Sequence, residues 1–269
     1  MSHAADPSHP RYKSLLARGK LEEAAEAGML AASALIAHGR GEAFDYLLGE
    51  TTTESATRAT KEAAARLAAA ERAVISFNGN TMALASDDLL RCAALTGADV
   101  EINIFYRTPE RMLVLMSFLE DAKIRIRNST PRGIGETNWG KMVDEIRLLG
   151  ASPDGRIPGL EGPRANCHSD GMLAADVLLV PLEDGDRCEA LVAMGVDVIV
   201  IDLNPMSRSA KMATVTVVDE ISRFAENLFE ELKNPEKINH NWDNSAILQS
   251  ALDCINDNLK APRSNNLVS

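Results

Sequence analysis

Arginines next to glycine, and asparagines at the ends of apolar runs, are the residues of this chain best suited to handle anions. Arg18-Gly19, Gly39-Arg40-Gly41 and Arg132-Gly133 each set a guanidinium beside a residue without a Cβ. The run Pro163-Arg164-Ala165-Asn166-Cys167-His168 adds a further arginine, together with Asn166 and His168. Glycine lets a backbone wrap closely round an anion, and a guanidinium offers a planar fork of donors to phosphate or carboxylate. Taken singly, each arginine also reads as a solvated loop residue.

Three further constellations follow apolar, β-branched runs. Asn78-Gly79-Asn80 comes after Ala73–Phe77, where Gly79 would let backbone N–H groups approach an anion at a helix start. A plain strand-to-helix turn is the competing reading. Tyr106-Arg107-Thr108 follows the next run, and Arg107 is placed to clamp a carboxylate or phosphate, or to sit on the surface. Asp202-Leu203-Asn204-Pro205-Met206-Ser207-Arg208-Ser209 follows a third. An aspartate ending a buried strand is costly unless bonded, so Asp202 either meets a ribose hydroxyl or Mg²⁺ or caps its own loop. Asn204, Arg208 and Ser209 supply donors beside it.

Several chemistries are unsupported. No G-x-x-x-x-G-K-[ST] loop occurs, no G-x-G-x-x-G follows a strand, and no G-x-S-x-G elbow is present. The four cysteines form no C-x-x-C pair, and Cys167 beside His168 is no nucleophile–base pair, because sequence neighbours seldom face each other. His38 and His168, the histidines away from the ends, read first as hydrogen-bonded structural residues. No metal-ligating residue set is expected from spacing.

The elements that must position these residues alternate. Helices are expected over Leu15–Ala27 and Thr51–Ala70, with an apolar stretch Met29–Ala37 between them and an open, non-helical backbone at His38–Gly41. Strands are expected at Ala73–Phe77, Val100–Tyr106, Lys123–Arg127, Asp176–Pro181, Val196–Leu203 and Ala213–Val218. Helices are expected at Asp87–Leu95, from Pro109 behind a Thr108 cap, and at Trp139–Leu149, Gly185–Met194, Asp219–Lys233 and Asn244–Leu259. The pattern predicts an α/β protein with a doubly wound, mostly parallel sheet and helices on both faces. It divides into an N-terminal helical segment (1–72), an α/β core (73–233) with a long active-site loop (128–170), and a C-terminal helix and loose tail (234–269). In such sheets ligands bind outside the carboxyl ends of the strands.

Composition agrees. The 269 residues are 45% apolar and 25% charged, as in ordinary globular proteins. With 39 acidic residues against 28 basic ones, the net charge of -11 disfavours nucleic acid and anionic membranes as partners. Nothing resembles a signal peptide or a membrane span, so a cytoplasmic protein is expected.

Longer runs carry a resemblance. His38–Tyr46, Ser76–Asn80, Asn103–Thr108, Gly162–His168, Val180–Arg187 and Ile201–Arg208 are similar, in order, to runs of the archaeal 4-phosphopantoate–β-alanine ligases, or phosphopantothenate synthetases. The resemblance covers roughly residues 11–229. It implies a Rossmann-like core with an N-terminal helical extension, a homodimer, and the joining of 4-phosphopantoate to β-alanine in coenzyme A biosynthesis. It also implies ATP as co-substrate with Mg²⁺, an acyl-adenylate, and release of AMP and pyrophosphate. ATP contacts are implied at Arg18, Arg40, Asp202, Leu203, Asn204, Arg208, Ser209, Glu220 and Ile221. Arg40, Asn78, Asn80 and Arg164 are the catalytic candidates. Arg107, Arg132, Arg164, Asn166 and His168 are the substrate-binding candidates. The family pattern has Asp-Asn where this chain has Asp219-Glu220. A non-catalytic ATP sensor and a Rossmann-like oxidoreductase are the alternatives; the missing glycine fingerprint counts against the second.

Overall fold

The structure, a computed structural model, describes residues 6–181 and 184–260, without the side chains of Arg164 and Lys260. Three helices come first: α1 (Tyr12–Glu26), α2 (Ala32–Leu48) and α3 (Glu54–Ala69). Then follow β1 (Ala73–Phe77), α4 (Gly79–Thr96), β2 (Asp99–Ile102), α5 (Pro109–Arg127), α6 (Glu136–Asp144) and β3 (Leu148–Leu149). A small hairpin of β4 (Gly155–Arg156) and β5 (Asn166–Cys167) carries a 3₁₀ turn, Pro163–Ala165. The chain continues through β6 (Val177–Pro181), α7 (Gly185–Ala193), β7 (Asp197–Ile201), α8 (Arg208–Met212), β8 (Val215–Val217), α9 (Ile221–Leu232) and α10 (Asn244–Lys260).

The main sheet is parallel throughout, in the order β3-β2-β1-β6-β7-β8. Counted along the chain within this sheet, that is the 3-2-1-4-5-6 order of Rossmann sheets. The order reverses between β1 and β6, where the connections leave in opposite directions.

Strand side chains alternate between two cores. Ile75, Phe77, Leu179, Ile199, Ile201, Val215 and Val217 join the core beneath α3, α4 and α9. Val74, Leu178, Val180, Val198 and Val200 join the other, with Cys188 and Leu191 of α7. Burial on both faces is why these strands read as unbroken apolar runs. Helix α9 shows the matching pattern: Ile221, Phe224, Ala225, Leu228, Phe229 and Leu232 form one buried stripe at helical spacing. Helix α3 offers Ala56, Ala59 and Ala63, small enough for close contact with the sheet.

Several expected elements differ. Lys123–Arg127 is the last turn of α5, not a strand. Its Ile126 continues the buried stripe Leu115, Leu119, Ala122 at helical spacing, while Ile124 is exposed; the Ile-Arg-Ile-Arg alternation imitated a strand by accident. The third strand is Leu148–Leu149, and the helix expected over Trp139–Leu149 ends at Asp144. His38–Gly41 is helical, inside α2. Each glycine costs a helix about 1 kcal/mol relative to alanine. Packing of Phe44 and Leu48 against Leu203 offsets that cost here. Helix α4 begins at Gly79 rather than Asp87, with a break in helical geometry at Ala85. Thr108 caps α5 with Pro109 in its first turn, as expected. Among the described residues, no helix is long and apolar enough to cross a membrane.

Candidate functional site

Two cavities open at the carboxyl edge of the sheet, one on each side of α2. The smaller, about 480 Å³, lies over the β1–β6 switch point. The larger, about 540 Å³, lies between α1, α2, the end of β7 and the start of α9. Ala37 borders both cavities, His38 and Gly41 face the larger, and Arg40 faces the smaller. A single turn of α2 therefore partitions the site. That turn is helical despite its glycines, and Gly41 lets Leu203 approach within contact of where a Cβ would stand.

The smaller cavity collects residues from several strand ends. Asn78 follows β1 and uses both ends of its amide: Oδ1 accepts from Thr81 N (3.0 Å), capping α4, and Nδ2 donates to the Pro181 carbonyl at the end of β6 (2.9 Å). Asn80, in the first turn of α4, donates through Nδ2 to the Ala34 carbonyl at 3.1 Å and so ties α4 to α2. Gly79 serves packing rather than anion approach: a Cβ there would lie 2.6 Å from Leu30 Cδ2 and 3.0 Å from the Met29 carbonyl. Arg40 is exposed and makes no ion pair among the described residues.

Two arginines of this cavity were missed by sequence reasoning. Arg111, in the first turn of α5, donates to the Met29 carbonyl through Nε (3.0 Å) and Nη2 (2.9 Å). Arg187, in the first turn of α7, is 4% exposed and donates to Asn103 Oδ1 at 2.5 Å. The available signal was positional: a basic residue in the first turn of a helix that follows a strand opposes the helix dipole and needs another reason to be there.

Arg107 is half-buried and turned inward. Its Nη1 donates to the Gly150 carbonyl and its Nη2 to the Ile102 carbonyl (3.1 Å), which fastens the chain after β3 to the end of β2. Burial holds its guanidinium below the ordinary arginine value. Close by, Glu101 is completely buried in β2, and its carboxylate accepts from His168 N (2.8 Å) and Met172 N (2.7 Å). Burial pushes its pKa up, while those two backbone donors and Arg187 pull it down. Glu101 was not singled out by sequence; it anchors the segment that carries His168. His168 Nδ1 accepts from Asp170 N at 3.2 Å, and Asn166 Oδ1 accepts from Arg156 Nη1 at 2.8 Å. Neither residue, nor the exposed Arg132, lines either cavity. The Arg164 side chain lies outside the described residues. The Cys167 thiol is pushed up to about 11 by burial, which suits a core residue rather than a nucleophile.

The larger cavity has apolar walls from Leu84, Ile201, Leu203 and Ile221 and a charged rim. Asp202 faces its own loop: Oδ1 accepts from Asn204 N (2.9 Å) and Oδ2 from Ser207 Oγ (2.5 Å). Burial raises its pKa, and the nearby Arg40 charge partly offsets this. Asn204 Oδ1 in turn accepts from Met206 N at 2.9 Å. Glu220 caps α9, accepting from Ser222 N (2.9 Å) and Arg223 N (3.2 Å). Behind it, Arg223 bridges two buried carboxylates, Asp45 of α2 (2.5 Å) and Asp219 (2.7 Å). This triad locks α2 to α9, since breaking one partner of a buried pair typically costs about 3–5 kcal/mol. Arg18 is paired with Glu42 at 2.8 Å, and Arg208 is paired with Asp186 and Glu189 of α7. Both are drawn away from a free anion-binding role in this state. Ser209 is buried within α8.

A parallel sheet in this order, with two cavities at its carboxyl edge, defines a Rossmann-like α/β protein. The model of the phosphopantothenate/pantothenate synthetase family matches residues 55–258, and the chain belongs to that family. It is 45% identical over 260 residues to the 4-phosphopantoate–β-alanine ligase of Thermococcus kodakarensis, covering 94% of this chain and 92% of the relative. It is 47% identical over 221 residues to that of Methanospirillum hungatei (82% of each), and 42% over 260 residues to that of Methanosarcina mazei (94% of each).

Proposed function

We propose that this protein joins 4-phosphopantoate to β-alanine, using ATP and releasing AMP and pyrophosphate. Its relatives carry that ligase name over nearly their whole length. The observation that carries the mechanism is the pair of cavities divided by one turn of α2. A two-step acid activation needs a nucleotide pocket and an acid pocket sharing a wall at the α-phosphate.

In this reading adenosine occupies the larger cavity, against Leu203 and Ile221, with its phosphates directed toward Arg40. Phosphopantoate fills the smaller one, where Arg40, Arg111 and Arg187 offset its phosphate and carboxylate charges. The carboxylate attacks the α-phosphorus and pyrophosphate leaves. The amine of β-alanine then attacks the acyl carbon, AMP leaves, and the amine gives up a proton. Nucleophile and electrophile both come from substrates, so the protein contributes positioning and charge stabilisation. That agrees with Cys92, Cys167 and Cys188 being buried in the core.

Among the described residues no group of three His, Cys, Asp or Glu is arranged to hold a metal. Mg²⁺ is commonly held by one or two carboxylates together with substrate phosphates, and we assign the ion to the phosphates of ATP. We also assign the protein to the cytoplasm as a homodimer. Support for the dimer comes from exposed apolar residues beside the smaller cavity: Ile36 on α2, and Phe105, Tyr106 and Leu113 before and on α5.

The test is AMP and pyrophosphate release with ATP, Mg²⁺, 4-phosphopantoate and β-alanine, each omitted in turn. AMP formation that requires both organic substrates supports the ligase. ATP binding without AMP under any combination would replace it with a nucleotide sensor.

A further inference from the structure

Asn80 holds a buried acceptor that accepts nothing. The residue is 5% exposed, lies in the first turn of α4 and lines the smaller cavity. Its Nδ2 donates to the Ala34 carbonyl at 3.1 Å. That contact fixes the amide's orientation, since turning it over would oppose two acceptor oxygens. Oδ1 is therefore the remaining end, and it is buried without a hydrogen-bond partner. Native proteins leave few such groups unmatched, because an unmade buried hydrogen bond is costly. The contrast with Asn78, two residues earlier, is direct: there both ends of the amide are consumed by the fold.

The chemistry of the missing partner is restricted. An amide oxygen repels phosphate and carboxylate, so the partner must donate, as a hydroxyl or an ammonium. Arg40, Arg111 and Arg187 share the cavity with one aspartate, Asp184. A cation is disfavoured there, while a hydroxyl brings no charge. Resting on the ligase reading above, we propose that Asn80 Oδ1 accepts a hydrogen bond from the hydroxyl on the carbon that bears the reacting carboxylate. Asn80 then selects an α-hydroxy acid over its deoxy or keto counterpart. The keto acid would set a second acceptor against Oδ1, and the deoxy acid would leave Oδ1 unmatched.

The test compares kcat/KM for 4-phosphopantoate and its 2-deoxy analogue, with ATP and β-alanine saturating, in the wild-type protein and in Asn80→Ala. The wild type should prefer the hydroxy acid by at least about tenfold, the usual scale of discrimination by a buried polar group left unpaired. In Asn80→Ala the preference should fall below about threefold. A wild type that uses both acids equally overturns the proposal without reference to any variant. So does an Asn80→Ala variant that loses the same factor on both acids, since that is the mark of a purely structural tie to Ala34. A wild type that forms no AMP from 4-phosphopantoate fails differently: it removes the ligase reading, and this assignment with it.

Discussion

Asn78 Nδ2 donates to the Pro181 carbonyl at 2.9 Å, and this one bond joins the carboxyl ends of β1 and β6 where the strand order reverses. The same side chain caps α4 through Thr81. The floor of the smaller cavity is thus held by a residue whose amide is engaged by the fold at both ends.

Replacing Asn78 should cost stability on two accounts. Asn78→Ala loses the cap and leaves the Pro181 carbonyl unmatched, for about 2 kcal/mol in total. Asn78→Ser keeps a cap but cannot reach Pro181, and should lose about half as much. Urea unfolding of both variants measures the difference. Equal losses would mean that the bond across the switch point contributes nothing.

How legible was this in the sequence? The doubly wound sheet was, because strands buried on both faces leave unbroken β-branched runs such as Val198–Ile201. The edge strand was not, because Leu148–Leu149 is two residues long and carries no periodicity. Strand ends pointed to Asn78, Asn80 and Leu203 and the resemblance to Glu220 and Ile221, and all five line a cavity. The site was not legible as pairing. Nothing local indicates that Arg18 reaches Glu42 or that Arg208 reaches α7, since those partners are set by tertiary packing. Arg111 and Arg187 left only the positional signal of a basic residue in a first helical turn, and the fold is what turns them toward a cavity.

Arg40 should be the most sensitive arginine for catalysis and among the least for stability. It is exposed and makes no ion pair among the described residues, so Arg40→Ala should change the unfolding free energy by less than about 0.5 kcal/mol. Removing its charge from between the cavities should lower kcat/KM at least about tenfold, or about 1.4 kcal/mol of transition-state stabilisation. Steady-state kinetics of AMP release checks this, and a loss below about twofold would remove Arg40 from the mechanism.

His38 gives the fold a pH dependence of defined sign. Its Nε2 is buried without a partner, and burial lowers its pKa from the ordinary 6.5. Glu42, Glu220 and Asp45 oppose that shift, and Arg18 adds to it. The folded state therefore favours the neutral ring, and the unfolded chain binds the extra proton between the two values. The contribution is fully present above 6.5 and is lost as pH falls toward and through the folded value. Unfolding free energy should consequently drop less between pH 7.5 and pH 5.5 in His38→Gln than in the wild type. Identical slopes would mean that His38 titrates as it does in the unfolded chain.

Glu220 stands where the resemblance implies an asparagine, and its environment predicts what that substitution would do. Its carboxylate caps α9 by accepting from Ser222 N and Arg223 N, at the wall of the larger cavity. A negative charge there takes up backbone donors that would otherwise face an incoming phosphate, and it repels ATP as well. Asparagine is an equally good cap, so Glu220→Asn should stay within about 0.5 kcal/mol of wild-type stability. Removing one charge at a distance of several ångströms in a partly solvated cleft is worth about 0.5–1 kcal/mol. The KM for ATP should accordingly fall about two- to fivefold, with those for 4-phosphopantoate and β-alanine unchanged. An unchanged KM for ATP would mean that the nucleotide meets this position only through the backbone, with the Glu220 carboxylate held on the helix amides throughout.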